Sequence, residues 1–184
     1  MTKTPVTYKE TLQGILTVRE IESIVMDNLI NVQKYLFRNY QNLSINQRTI
    51  KHLHKLLTAN LFEEGGNYRK HNVELGSFEP PTYFKVPQYM MDWEEDYKER
   101  RKHTRTQEQK IELCAWLIHR FLWIHPFFDY NGRISRLIGE LFLLKNKFPV
   151  VTFQSVKRVD FVRAVKKATE CGDLNDLSGL IKGE

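Results

Sequence analysis

Apolar residues three and four apart recur along most of this chain, and that spacing confines it to helices. Val18, Ile21, Ile24, Val25, Leu29, Val32 and Leu36 form the first stripe, which runs to about Phe37. Ile50, Leu53, Leu57 and Leu61 form the second, and Met90, Trp93 and Tyr97 the third. Ile111, Cys114, Ala115, Ile118 and Leu122 continue the pattern, as do Leu137, Leu141 and Leu144. A period of roughly 3.6 residues gives each helix one apolar face that must be covered by another. The expected fold class is all-α, a bundle of about seven helices with one small β-hairpin.

Local signals place the breaks. Thr17-Val18-Arg19-Glu20 reads as a capping box, and Ser44-Ile45-Asn46-Gln47 repeats it before the second stripe, which should stop ahead of Gly65-Gly66. From Asn67 to Pro87 the stripe is lost, and Gly76, Pro80, Pro81 and Pro87 mark a loop. The hairpin is expected there, around Val73-Glu74-Leu75. Pro87 suits the first turn of a helix, Lys98 to Arg105 reads as a basic connection, and a long helix follows from about Thr106. His125-Pro126 halts that helix, because proline disfavours helical geometry in the residue before it. Another starts near Gly132 and runs to Lys147. Asp160 is expected to cap a further helix that closes at Cys171-Gly172, and a short apolar segment from Leu174 to Ile181 ends the bundle.

At roughly 100–200 residues per domain, 184 residues read as a single domain, led by a loose N-terminal arm. A hydrophobic fraction of 41% excludes a disordered polyelectrolyte. No apolar run approaches the roughly 20 residues of a membrane span, and Met1 to Gln13 lacks the apolar centre of a signal peptide. Cys114 and Cys171 read as reduced thiols, so a cytoplasmic setting without membrane contact is expected. The net charge of +6 points to an anionic partner without saying which.

Chemistry concentrates in His125-Pro-Phe-Phe-Asp-Tyr-Asn-Gly-Arg-Ile-Ser-Arg136, between two apolar helices. A histidine such as His125 serves as a general base near neutral pH. Asp129 can hold a hard divalent cation. Asn131-Gly132 opens a helix, where free N–H groups and the dipole favour phosphate. Arg133 and Arg136, three apart, share one face of the first turns. Base, metal carboxylate, anion hole and arginine clamp are the parts of a phosphoryl- or nucleotidyl-transfer site.

The run resembles the signature of the Fic family, His-Pro-Phe-x-Asp/Glu-Gly-Asn-Gly/Lys-Arg-x-x-Arg, with His125, Pro126, Phe127, Asp129, Asn131, Gly132, Arg133 and Arg136 in register. Gly66-Asn67-Tyr68-Arg69, the stretch from Val73 to Pro81, Val86 to Met90 and Phe161 to Asp173 also resemble the family's order, so the likeness extends from about Thr17 to the C-terminus. It implies the Fic fold and transfer of AMP from ATP, with Mg²⁺, to a hydroxyl of a target protein. It assigns His125 as base and Asp129 as Mg²⁺ ligand. Asn131 and Gly132 would stabilise the transferring phosphate, and Arg133 and Arg136 would grip the outer ones. Val73, Glu74 and Leu75 would be the flap that holds a target segment by strand addition.

Two features depart from a plain member of that family. Tyr130 stands where glycine is usual, beside the nucleotide, so another phosphate donor, AMP removal or a weakly catalytic nucleotide-binding module stays open. Ser23-Ile-Val-Met-Asp27-Asn28 resembles an inhibitory helix motif with aspartate in place of glutamate, which implies a regulatory pairing of Asp27 with the motif's last arginine, Arg136. His52 and His54, two apart on a helix, face different ways and make a poor metal pair. No helix-turn-helix or zinc signature supports specific nucleic-acid binding. The target protein is the expected partner, and self-association into a homo-oligomer stays open.

Overall fold

The computed structural model describes residues 8–76, 78–149 and 156–183. Among them the order is β1 (Tyr8–Thr11), β2 (Gly14–Thr17), α1 (Val18–Asn39), α2 (Gln47–Leu57), a 3-10 turn (Tyr83–Lys85), α3 (Val86–His103), α4 (Gln107–Ile124), α5 (Asn131–Lys145), α6 (Arg158–Cys171) and α7 (Asn175–Lys182). The all-α expectation of about seven helices holds among the described residues.

The caps explain most boundaries. Thr17 and Glu20 close the capping box of α1, and Thr106 with Gln109 closes a second one at α4. At α2 the cap is Asn46, which accepts from the Thr49 N–H at 2.9 Å, rather than Ser44. Buried Ile45 and Ile50 occupy the two positions of a hydrophobic staple around that cap. α2 also stops at Leu57, earlier than the Gly65-Gly66 pair. α3 runs on through Lys98–His103, which the sequence presents as a connection. Glu94 pairs with Lys98 and Glu99 with Lys102 and His103, and the basic last turn suits the negative end of the helix dipole. Asp160 lies in the first turn of α6 while Lys157 takes the cap position.

α4 is the central element. Leu113, Cys114, Ala115, Leu117, Ile118, Phe121 and Ile124 are all buried, so it is apolar nearly all round. It packs on α3, α5, α6 and α7, while α1 packs on α2 and α5. Trp93 of α3 is fully buried against it and donates its indole N–H to the Leu117 carbonyl at 3.2 Å.

The two-stranded sheet is N-terminal, a correction to the expected loose arm. β1 and β2 pair antiparallel from Tyr8↔Thr17 to Thr11↔Gly14, and the tip is anchored by the Leu12 N–H on the Leu61 carbonyl at 3.0 Å. Met1 to Thr7 lie outside the described residues. Among the described residues of the flap stretch only the Leu75↔Phe78 bridge forms, with reciprocal N–H to carbonyl bonds of 2.9 and 3.1 Å. Val73 and Glu74 stay outside any strand, because Pro80 and Pro81 follow too soon for a second ladder to grow. No helix among the described residues is long and apolar enough to cross a membrane.

Candidate active site

The loop between α4 and α5 is built on two left-handed residues. His125 caps α4 at φ 50° and Tyr130 precedes α5 at φ 59°. Pro126 prevents α4 from continuing, and the left-handed pair turns the chain back within six residues. Tyr130 therefore adopts the backbone shape that glycine takes without penalty.

Asn131 closes this turn. Its Oδ1 accepts from the Phe127 N–H at 3.0 Å and its Nδ2 donates to the Phe127 carbonyl at 2.8 Å. Asn131, 1% exposed, has both ends of its side chain engaged with the loop. Its side-chain amide is thus used to shape the turn.

Phe127 is fully buried and stacks on His54 at 3.9 Å between ring centroids. His54 is a support that sequence reasoning missed. Its Nδ1 accepts from the Gly66 N–H at 2.9 Å, so Nε2 carries the hydrogen and donates to the Asp129 carbonyl at 3.2 Å. Burial pushes its pKa down to about 4, which keeps that tautomer neutral. Gly66 allows the approach: its φ is +84°, and a Cβ there would stand 2.7 Å from the Lys51 carbonyl.

Burial also pushes His125 down to about 4, against the pull of the Leu122 carbonyl and with that of the Arg69 guanidinium. At neutral pH its imidazole is free to accept a proton. Asp129 is half exposed; its Oδ1 accepts from the Tyr130 N–H at 2.7 Å, and Lys9 of β1 approaches its other oxygen at 3.5 Å. No group of three or more His, Cys, Asp or Glu among the described residues gathers around a metal. A single carboxylate suits a hard cation that takes its remaining oxygens from phosphate and water.

The arginines divide. Arg133 is ion-paired with Glu22 of α1 and lies 5.3 Å over the Tyr130 ring, while its Nη1 is buried without a hydrogen-bond partner among the described residues. Arg136 lies 4.5 Å over the Phe161 ring of α6, and burial lowers its pKa. Tyr130 is buried and its hydroxyl is pushed up to about 12, mainly by burial. Gly132 at the start of α5 has open space where a Cβ would stand. An orphaned guanidinium N–H, open space at a helix N-terminus and an adjacent carboxylate fit a polyphosphate with a divalent cation.

The residues of the expected inhibitory motif, Ser23, Asp27 and Asn28, lie along α1. Ser23 and Asp27 are exposed on α1, and Asp27 pairs with no base among the described residues. Asn28 donates to the Leu57 and Ala59 carbonyls at 3.1 Å each, pinning α1 to the end of α2. The α1 carboxylate that pairs with a motif arginine is Glu22, on Arg133. Its place one residue before Ser23 carries no signal in the sequence.

The model of the Fic/DOC family matches residues 44–143, from just before α2 into the last turn of α5. A Drosophila persimilis protein named Protein adenylyltransferase Fic is 28% identical over 135 residues, 73% of this chain and 26% of that protein. A Fido domain-containing protein of Dictyostelium discoideum is 29% identical over 103 residues, 56% of this chain and 71% of that one. The chain thus spans about a quarter of the length of the adenylyltransferases it matches. Among solved structures, the BepC effector of Bartonella tribocorum with bound AMPPNP superposes with a TM-score of 0.78 at 14% identity, covering 100% of this chain and 93% of that one. The N-terminal Fic domain of a Bartonella quintana effector with bound ADP gives 0.81 at 12%, covering 98% and 92%. At such identity the likeness is one of fold.

Proposed function

The chain belongs to the Fic/DOC family, and from that premise we propose that it transfers AMP from ATP to a hydroxyl side chain of a target protein. The observation that carries this reading is the α4–α5 loop. It sets a neutral imidazole, a carboxylate and the open N-terminus of α5 with Arg133 and Arg136 within twelve residues. AMPPNP and ADP in two Bartonella Fic domains of the same fold support a nucleotide as donor.

In this reading His125 takes the proton of the target hydroxyl as its oxygen attacks the α-phosphorus, and pyrophosphate leaves. The N–H groups at the start of α5 stabilise charge on the transferring phosphate. Arg133 and Arg136 orient the outer phosphates, the planar fork suiting phosphate better than an ammonium. Asp129 would hold Mg²⁺, which neutralises phosphate charge when bound. Val73, Glu74 and Leu75 would form the edge of the flap that receives a target segment as an added strand. Two unpaired cysteines, Cys114 buried and Cys171 exposed, suit a reducing compartment such as the cytoplasm.

Regulation by α1 is read through Glu22 rather than Asp27. Its ion pair occupies Arg133, a group the phosphates need, so the chain as folded is held down. The buried Tyr130 ring beside Arg133 favours a second reading, in which the donor differs from ATP.

Incubation of the purified chain with α-labelled ATP, Mg²⁺ and a cell lysate should label protein, and intact mass should rise by one adenylyl group. His125→Ala should lower labelling by about a hundredfold or more. Undiminished labelling by that variant would overturn the base assignment, and preference for another nucleotide would replace the donor.

A further inference from the structure

Arg69 lies outside the motif, between α2 and the flap, and is 5% exposed. Its Nε donates to the His125 carbonyl at 2.8 Å and its Nη1 to the His71 carbonyl at 2.9 Å. Its Nη2 donates to the Pro81 carbonyl and, at 3.5 Å, to that of Ile124. Its own N–H donates to the Pro126 carbonyl at 2.8 Å.

These acceptors come from three places. The Ile124 and His125 carbonyls are the last of α4, which have no partner within the helix and sit at the negative end of its dipole. They offset the lost hydration of a buried guanidinium that forms no ion pair with a carboxylate among the described residues. His71 and Pro81 stand on either side of the Leu75–Phe78 bridge and are the two feet of the flap. A rigid planar fork can hold these directions together, and a lysine ammonium on a flexible stem cannot. The left-handed His125 at the junction is a conformation that persists only where its surroundings over-determine it.

We propose that Arg69 is a positioning residue that ties both feet of the flap to the backbone of His125, so that a target strand added to the flap arrives in register with the base. This rests on the adenylyl-transfer reading. The guanidinium does not touch the reacting atoms; it acts through the distance between two segments that would otherwise move independently.

The test is Arg69→Lys in the full chain, with α-labelled ATP, Mg²⁺ and lysate, alongside ATP titration and amide exchange. Labelling should slow by about 10- to 100-fold while the KM for ATP stays within about twofold, as expected when reacting groups are misplaced by about 1 Å. The Leu75, Phe78 and Phe127 amides should exchange faster together. Labelling at the wild-type rate would overturn the proposal. So would a loss that follows reduced ATP binding and a lowered melting temperature, which marks a merely structural role. If the wild-type chain labels nothing, the adenylyl-transfer reading fails, and exchange alone then decides: unchanged flap exchange in Arg69→Lys overturns the coupling. If Arg69→Lys does not fold, native-state exchange of the wild-type chain in low denaturant replaces it. Leu75, Phe78 and Phe127 should open as one unit, and separate openings would overturn the coupling.

Discussion

Tyr130 shows how one residue can keep a backbone shape and alter what surrounds it. Its left-handed conformation costs on the order of 1 kcal/mol relative to glycine, while burial of its ring stabilises by about 2–3 kcal/mol. Tyr130→Gly should therefore lower stability by roughly 1–2 kcal/mol, read as a lowered urea midpoint, because the loss of ring burial outweighs the relief of strain. An unchanged or raised midpoint would mean that the ring contributes nothing against Arg133. His54 is the opposite case, a residue whose importance is invisible along the chain. Its two hydrogen bonds go to Asp129, 75 residues away, and to Gly66, 12 away. A histidine on an apolar helix face reads the same whether or not those partners arrive.

At the scale of elements, the capping box of α1, the start of α4 near Thr106 and the break at His125-Pro126 were legible, because each depends on residues within one turn. The extension of α3 was not. Lys98 to Arg105 lacks a stripe, and the helix persists there through charge pairs with Glu94 and Glu99 and through Arg100 lying 4.6 Å over Trp116 of α4. The placement of Glu22 against Arg133 likewise follows from how α1 crosses α5, a packing decision. Glu22→Gln removes the charge while keeping the shape, so it should release Arg133 and raise ATP affinity and labelling several-fold. Titration of ATP against both forms measures this, and equal affinities would show that the pair exerts no restraint.

For the whole molecule, two neutral imidazoles, buried His54 and half-buried His125, tie stability to pH. His54 and His125 both have pKa values near 4 in the fold, below the ordinary 6.5. Between those values the unfolded chain binds protons that the folded chain does not. Stability is therefore fully present above about pH 6.5 and is lost as pH falls toward about 4, with a slope up to about 1.4 kcal/mol per pH unit for each histidine. Urea midpoints taken near neutrality and near pH 5 should fall accordingly, and a flat profile would mean that these rings are protonated without strain.

The sequence by itself determined the helical class, the break between α4 and α5, and the cluster of His125, Asp129, Arg133 and Arg136, since all of these rest on spacing within a few turns. Only the tertiary structure decided which distant groups complete the site. Arg69 meets the His125 carbonyl across 56 residues, and Glu22 meets Arg133 across 111. Asn131 turns inward to the loop instead of outward to a ligand. Periodicity states which face of a helix is buried but not which helix covers it, and these contacts exist only once the packing around α4 has chosen its neighbours.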